Sequence, residues 1–128
     1  MLKPWHVFSE CWRLDNVLNK KAESPGYILV HVTVKDIEEG RKIAKSIVKR
    51  RLAACVNVVP EVESYFWWKD KLETEKEVML FFKTKESLLP ELAKAVKKLH
   101  SYSIPEIIAL PIVNGSHDYL EWLDSELA

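Results

Sequence analysis

The hydrophobic pattern is dominated by two long runs of strand-forming residues between positions 52 and 84, separated by the polar turn Lys69-Asp70-Lys71. Valines and aromatic residues fill these runs, which favours β-structure, and the polar break predicts a hairpin. The first arm, residues 53–68, would be roughly 53 Å long if fully extended, whereas a domain of about 100 residues is only roughly 35 Å across. We therefore expect the hairpin to project beyond its own domain, with Pro60 bending or interrupting the first arm.

Four consecutive aromatic residues, Tyr65-Phe66-Trp67-Trp68, form the tip of this hairpin. Successive strand residues point to opposite faces, so large rings lie on both faces of the ribbon, and a lone hairpin cannot bury both. We expect further copies of the chain to cover the tip, which predicts a homo-oligomer. The alternative is that the C-terminal helix or the N-terminal segment of the same chain covers it.

Helical spacing of apolar residues predicts three helices, each with a capping residue. Asp36, with Glu39 three positions later, matches a capping box. Ser87 is expected to cap the second helix, because Pro90 is tolerable only in a first turn. Ser116 is expected to cap the third. The second helix is predicted to end near position 99, and the third to cover residues 118–127.

Two further apolar runs complete the predicted sheet. Residues 27–34 are expected to form a buried central strand, and residues 106–113 a strand that Pro111 places at an edge or a bulge. The order β-α-β-β-α-β-α predicts an α+β fold. Its first six elements follow the split βαβ pattern of a ferredoxin-like domain, an antiparallel sheet with two helices on one face.

Composition and charge place the chain among ordinary soluble domains. It has 128 residues, and its 19 basic and 19 acidic residues leave no net field that would favour nucleic acid or an anionic membrane. No apolar run approaches the roughly 18 residues of a membrane span. Cys11 and Cys55 lie in separate segments, which argues against a disulfide framework and predicts a reducing, cytoplasmic location. Residues 1–26 lack the features of a secretory signal, so we treat them as an extension of unknown role before a domain at 27–128.

The chemistry-bearing residues match no catalytic motif. Nucleotide-binding glycine loops, a nucleophile elbow and HExxH are all missing from the sequence, so we expect a protein that is not an enzyme. A polar constellation is predicted instead, made of His100, Tyr102 and Glu106 after the second helix, Lys71, Glu73 and Lys83 on the hairpin, and Cys55 and Asn57 on one face of its first arm. Imidazole, thiolate and carboxylate together would suit copper or zinc.

The candidate residues of this constellation, and the other histidines of the domain, can also be interpreted as purely structural. The His100 group could be a capped helix end with surface ion pairs, and Cys55 a buried structural thiol. His31, inside an apolar strand, is expected to be a satisfied core histidine, and His117 a surface residue.

Several blocks of the sequence closely resemble the CutA family of divalent-cation tolerance proteins. The blocks are RRLAACVNVVPEVES, WKDKLETEKEVMLFFKT, HSYSIPEIIALP and DYLEWL, and the resemblance runs from about Tyr27 to Leu127. It implies a ferredoxin-like domain in a tight homotrimer similar to the PII signalling proteins, which binds copper or another divalent cation and has no established enzyme activity. In animals the family is also linked to the anchoring or processing of acetylcholinesterase, which implies a protein partner.

The resemblance assigns candidate site residues by position. Cys55 and His100 are taken as the metal ligands. The other positions that match family blocks are Asn57, Trp68, Lys71, Glu73, Lys83, Tyr102, Pro105 and Glu106.

Four positions depart from the family pattern. Ser101 replaces a usual proline, which predicts a looser loop around His100, and Asp70 replaces the glycine of the turn, which predicts strain there. Phe66 replaces a tyrosine of the tip. Some members carry a cysteine in the first strand, where this chain has Val32 and its neighbours.

Three functions remain open. The first is a trimeric metal-binding protein with a cleft between subunits near His100 and Cys55. The second is a PII-like sensor of small molecules or of a protein partner, with clefts lined by Lys71 and Lys83. The third is an enzyme that uses Cys55 or His100, for which no set of nucleophile, base and orienting group is visible.

Overall fold

The computed structural model describes residues 26–128, and the predictions for residues 1–25 lie outside this part of the chain. The elements are β1 (Tyr27–Val34), α1 (Ile37–Lys49), β2 (Cys55–Trp68), β3 (Lys71–Lys85), a 3-10 turn (Glu86–Leu88), α2 (Leu89–Leu99), β4 (Ile107–Pro111) and α3 (His117–Glu126). This arrangement confirms the predicted α+β class and the predicted order of elements.

The four strands form one antiparallel sheet in the order β2-β3-β1-β4. β1 has a neighbour on each side, as predicted for a central strand, and β4 lies at an edge, as Pro111 predicts. Every second residue of β1, from Ile28 to Val34, is buried beneath α1 and α2. The core consists mainly of Val30, Val32 and Val34 from β1, Leu80 and Phe82 from β3, Ile43 and Ile47 from α1, and Leu92 and Val96 from α2.

The opposite face of the sheet is only partly covered. α3 lies at one end of it, where Tyr119 and Asp124 contact the side chains of Lys83 and Lys85. Farther along the same face, the β4 residues Ile108 and Leu110 remain 49% and 45% exposed. The part of this face beyond α3, called the helix-free face below, therefore presents apolar side chains that residues 26–128 leave open to solvent.

β2 and β3 continue beyond the end of β1 as a two-stranded ribbon. The pairing of β1 with β3 stops at Val78, whereas β2 and β3 stay paired out to Trp68 and Lys71. The register shifts between Val59 and Val62, around Pro60, so the predicted interruption of the first arm is confirmed. α3 packs at the other end of β3, which rules out the C-terminal helix as the cover of the tip.

The ribbon tip exposes large apolar side chains on both faces. Tyr65, Trp67 and Leu72 are 65%, 72% and 64% exposed, and their alternation puts them on one face, with Phe66 and Trp68 on the other. The two turn residues have positive φ angles, 49° for Lys69 and 63° for Asp70. Positive φ angles are unfavourable for residues that have a Cβ atom, so the strain predicted for Asp70 is present at Lys69 as well.

The predicted helix caps are partly right. Ser116 accepts a hydrogen bond from the Tyr119 N–H, as expected of a cap. The predicted cap at Ser87 is wrong, because the 3-10 turn precedes α2 and the Leu89 N–H donates to a carbonyl of that turn instead of a side chain. Pro90 lies in the first turn of α2 and has no N–H to satisfy, which reduces the need for a cap.

Candidate functional site

His100 is held in a single orientation at the end of β1. Its side chain is fully buried, and its Nε2 lies 2.8 Å from the carbonyl oxygen of Thr33. A carbonyl can only accept, so Nε2 carries the proton, and Nδ1 accepts from the Tyr102 N–H at 3.0 Å. Both ring nitrogens of this neutral imidazole are therefore engaged, and metal ligation by His100 would require one of the two bonds to break.

Glu39 joins this group although the sequence predicts only a capping role for it. Its N–H donates to Asp36 Oδ1 at 2.9 Å, which confirms Asp36 as the cap of α1. Its carboxylate, however, accepts from the Ser101 N–H at 2.6 Å and from the Ser101 hydroxyl at 3.0 Å. Ser101 is thus bonded twice to α1, so the structure does not show the looser loop predicted from its replacement of a proline.

Tyr102 ties the same loop to the base of the ribbon. Its hydroxyl donates to Glu77 Oε2 at 2.8 Å, and its ring centroid lies 4.8 Å from that of His100. Burial, together with the hydrogen bond to the Glu77 carboxylate and the nearby negative charges, raises the pKa of Tyr102 well above its ordinary value. The hydroxyl therefore stays protonated and remains a donor at neutral pH.

Cys55 lies in a second group at the start of β2. It pairs with Lys83 of β3, whose Nζ lies 4.0 Å from the Cys55 Sγ and 5.6 Å from the centre of the Tyr119 ring. Cys55 is a free thiol that is half-buried, so it is more accessible than the predicted structural thiol. Asn57 follows on the same face of β2 and is exposed.

The two predicted metal ligands do not meet within one chain. His100 bonds to Thr33 of β1. Cys55 lies two strands away from β1, because it pairs with Lys83 of β3, which in turn pairs with Leu29 of β1. Leu29 precedes Thr33 by four residues. These spacings separate the two side chains by roughly 15 Å. Among residues 26–128, no group of three or more His, Cys, Asp or Glu side chains converges to hold a metal ion. One chain therefore does not supply a complete metal centre from its described part.

The remaining predicted site residues fall into two further places. Trp68, Lys71 and Glu73 lie at the ribbon tip, where Trp68 pairs with Lys71. Glu106 lies next to the helix-free face, with its Oε2 3.7 Å from Nδ1 of His31.

His31 differs from the prediction. Its ring stacks on Phe81 with centroids 5.2 Å apart, but its buried Nε2 has no hydrogen-bond partner among the residues that the structure describes. The expectation of a satisfied core histidine is therefore wrong for this nitrogen. His117 is highly exposed and pairs with Glu121 at 2.9 Å, which confirms it as a surface residue.

Sequence reasoning overlooked the partners Glu39, Glu77 and Tyr119. Glu39 was visible only as a member of a capping box, and Glu77 only as one of several acids on the hairpin. Their contacts with Ser101 and Tyr102 join residues 62 and 25 positions apart. No local signal in the sequence marks such pairs.

Comparison with known proteins decides the family. The model of the CutA1 divalent ion tolerance protein family matches residues 28–126. The chain belongs to this family. The resemblance to CutA inferred from the sequence blocks is thereby confirmed.

Individual CutA proteins support the same assignment. The chain is 52% identical over 96 residues to the chloroplastic protein CutA 1 of Oryza sativa subsp. japonica, covering 75% of this chain and 54% of that protein. It is 45% identical over 95 residues to the divalent-cation tolerance protein CutA of Thermus thermophilus, covering 74% and 92%. The crystal structure of CutA1 from Oryza sativa matches with a TM-score of 0.78 at 49% identity, covering 80% of this chain and 94% of that one.

The rice relative is longer than this chain and has a location in its name. The chain spans about half the length of the rice relative, which is named as chloroplastic. No helix within residues 26–128 combines the length and apolar character needed to cross a membrane.

Proposed function

We propose that this chain acts in divalent-cation tolerance as a homotrimer that binds a copper-type cation and has no enzymatic activity. In this proposal residues 27–128 are the functional domain, residues 1–26 are an extension without an assigned role, and the protein works in the cytoplasm. The succession of the first six elements and the sheet order β2-β3-β1-β4 support a ferredoxin-like classification.

The observation that carries the proposal is the uncovered ribbon. Trp67 and Leu72 on one face, and Trp68 on the other, are exposed far from the core, and Ile108 and Leu110 extend the apolar surface onto the helix-free face. Large exposed apolar patches mark interaction surfaces, and closed homo-oligomers are the commonest way to cover them. A trimer would bury the ribbon of each subunit against its neighbours.

Assembly also provides a way to complete the metal site. Cys55 and His100 lie roughly 15 Å apart in one chain, so they can share a cation only if neighbouring subunits contribute them. Thiolate and imidazole are soft and borderline ligands, which suit copper better than magnesium or calcium. The partly accessible Cys55 thiol supports this role, whereas His100 would have to release the Tyr102 N–H or the Thr33 carbonyl.

Calorimetric titration of the full chain with Cu(I), Cu(II) and Zn(II) tests the proposal. We expect binding at a fixed number of sites per trimer, and loss of that binding when Cys55→Ser and His100→Ala are combined. His117→Ala is the matched control, because it removes an exposed histidine that belongs to no proposed site. Unchanged affinity in the double variant would show that these two residues are not the ligands.

The engagement of both His100 nitrogens favours one second candidate, a PII-like sensor of a small ligand or of a protein partner. In that case Lys71, Glu73 and Trp68 at the ribbon tip, with Lys83 and Asn57 near Cys55, would line clefts between subunits, and Tyr102 and Glu106 would border them. A thermal-shift screen of nucleotides and organic anions tests it, because a specific ligand raises the melting temperature as its concentration rises. Stabilisation by an anion but not by metal would favour the sensor.

A further inference from the structure

We propose that Glu39 is the positioning residue for the loop of residues 100–106, and that it acts through Ser101. The inference rests on the proposed function, because this loop carries His100, Tyr102 and Glu106 of the proposed cleft. It assigns to Glu39 and Ser101 a role that neither the capping box nor the family blocks predict.

The surroundings of the Glu39 carboxylate show that it is committed to this loop. Its side chain is only 8% exposed, and burying a carboxylate is costly unless donors satisfy its oxygens. The Ser101 N–H and hydroxyl reach it at 2.6 and 3.0 Å, and the Lys35 N–H at 3.4 Å. His100 Nδ1 lies 4.0 Å from Glu39 Oε1 but accepts from the Tyr102 N–H, so the hydrogen bonds to the loop run through Ser101. It also lies in the first turn of α1, where the helix dipole favours a negative charge. The carboxylate is therefore fixed itself and can hold the loop in place.

The contacts on either side of Ser101 carry this constraint to the proposed site. His100 and Tyr102 flank Ser101, and the Tyr102 N–H bonds back to His100 Nδ1. Fixing Ser101 against α1 therefore fixes which way the His100 ring turns and keeps its proton on Nε2. Without the Glu39 contact, the loop keeps its bonds to Thr33, Val96 and Glu77 and the contact of Glu106 with His31. None of these contacts holds Ser101, so the ring can exchange tautomers.

A purely local capping role is the competing explanation, and Asp36 provides the control for it. Asp36→Ala removes the side-chain bond to the Glu39 N–H in the same turn of α1 but leaves both bonds between Glu39 and Ser101. Glu39→Ala removes those bonds and keeps the Asp36 cap. Ser101→Ala removes the hydroxyl donor of Ser101 and keeps its N–H, whereas Ser101→Thr keeps both donors.

Nuclear magnetic resonance of the full chain without metal separates these roles. Long-range proton–nitrogen spectra report the His100 tautomer, and amide exchange reports the Tyr102 N–H. We expect one Nε2–H tautomer and a protected amide in the wild type, Asp36→Ala and Ser101→Thr. We expect mixed tautomers and faster exchange in Glu39→Ala, and the same changes to a smaller extent in Ser101→Ala. An unchanged His100 signature in Glu39→Ala, or the same loss in Asp36→Ala, would overturn the inference.

Calorimetry with Cu(II) and Zn(II) gives a second, functional measurement. Ligation through Nδ1 would displace the Tyr102 N–H and keep the bond from Nε2–H to the Thr33 carbonyl, which is the outer contact that orients the ring. Loss of such an orientation typically weakens metal affinity about 10- to 100-fold, so we expect a loss of this size in Glu39→Ala and wild-type affinity in Ser101→Thr. If the wild type binds neither ion, the proposed function fails, and the resonance experiment still decides the role of Glu39. If the wild type binds and Glu39→Ala binds equally well, the positioning role fails and the proposed function stands.

Discussion

Replacing Trp67 by serine should break the assembly that covers the ribbon. Trp67 is 72% exposed in the single chain. A buried tryptophan removes about 200 Å² from solvent, so a neighbour that covers the exposed part would remove roughly 140 Å² more. At about 25 cal/mol per Å², this contributes about 3.5 kcal/mol per subunit and about 10 kcal/mol per trimer. The loss corresponds to about seven powers of ten in the association constant.

Light scattering and sedimentation over the micromolar range measure this effect. We expect the wild type to be a trimer throughout, and Trp67→Ser to dissociate as it is diluted while its far-ultraviolet circular dichroism stays folded. Val48→Ser is the control, because Val48 is also exposed and apolar but lies on α1, away from the ribbon. A monomeric wild type, or a Trp67→Ser trimer as resistant to dilution as the control, would refute the reasoning.

Three further predictions concern stability. Thr84→Val should lower the free energy of unfolding, measured by urea titration, by about 1–3 kcal/mol. The buried Thr84 hydroxyl donates to the Leu52 carbonyl at 2.7 Å, and valine leaves that carbonyl unpaired. An unchanged free energy of unfolding would contradict this account. Combining Lys69→Asn with Asp70→Gly should raise the free energy of unfolding by about 1 kcal/mol. Both positions have positive φ angles, which asparagine and glycine adopt more easily than lysine and aspartate. A lower midpoint in urea would show that the turn is not strained. Because the pKa of Tyr102 is raised in the folded chain, the unfolded chain loses this proton above about pH 10 while the folded chain keeps it. The free energy of unfolding therefore falls as the pH rises. Tyr102→Phe should make this fall shallower in urea titrations between pH 9 and pH 11. An equally steep fall in the variant would assign the effect to other groups.

The loop around His100 shows how a departure from a family pattern can be compensated. The resemblance to the CutA blocks implies a proline at the position of Ser101, and proline could offer neither an N–H nor a hydroxyl to Glu39. Here the serine uses both groups to bond to the first turn of α1. The restraint that a proline ring gives through its fixed φ is thus supplied in this chain by a tertiary contact.

The sequence by itself determined the elements and the family. Apolar runs rich in strand-forming residues predicted β1 and the ribbon, and Pro60 predicted the interruption seen between Val59 and Val62. Helical spacing predicted all three helices, with errors at their ends, such as the cap at Ser87. These features depend on local backbone geometry, whose periods of 2 and 3.6 residues are visible in a short window of sequence.

Only the tertiary structure decided which side chains meet. Cys55 and His100 each lie in a block that resembles the family, but they are at different ends of the sheet. Glu39 and Ser101, in contrast, are 62 positions apart and in contact. Such pairs follow from the strand order, the register and the path of one loop. A local pattern contains none of this information, because it fixes the face on which a residue lies but not the element that packs against that face.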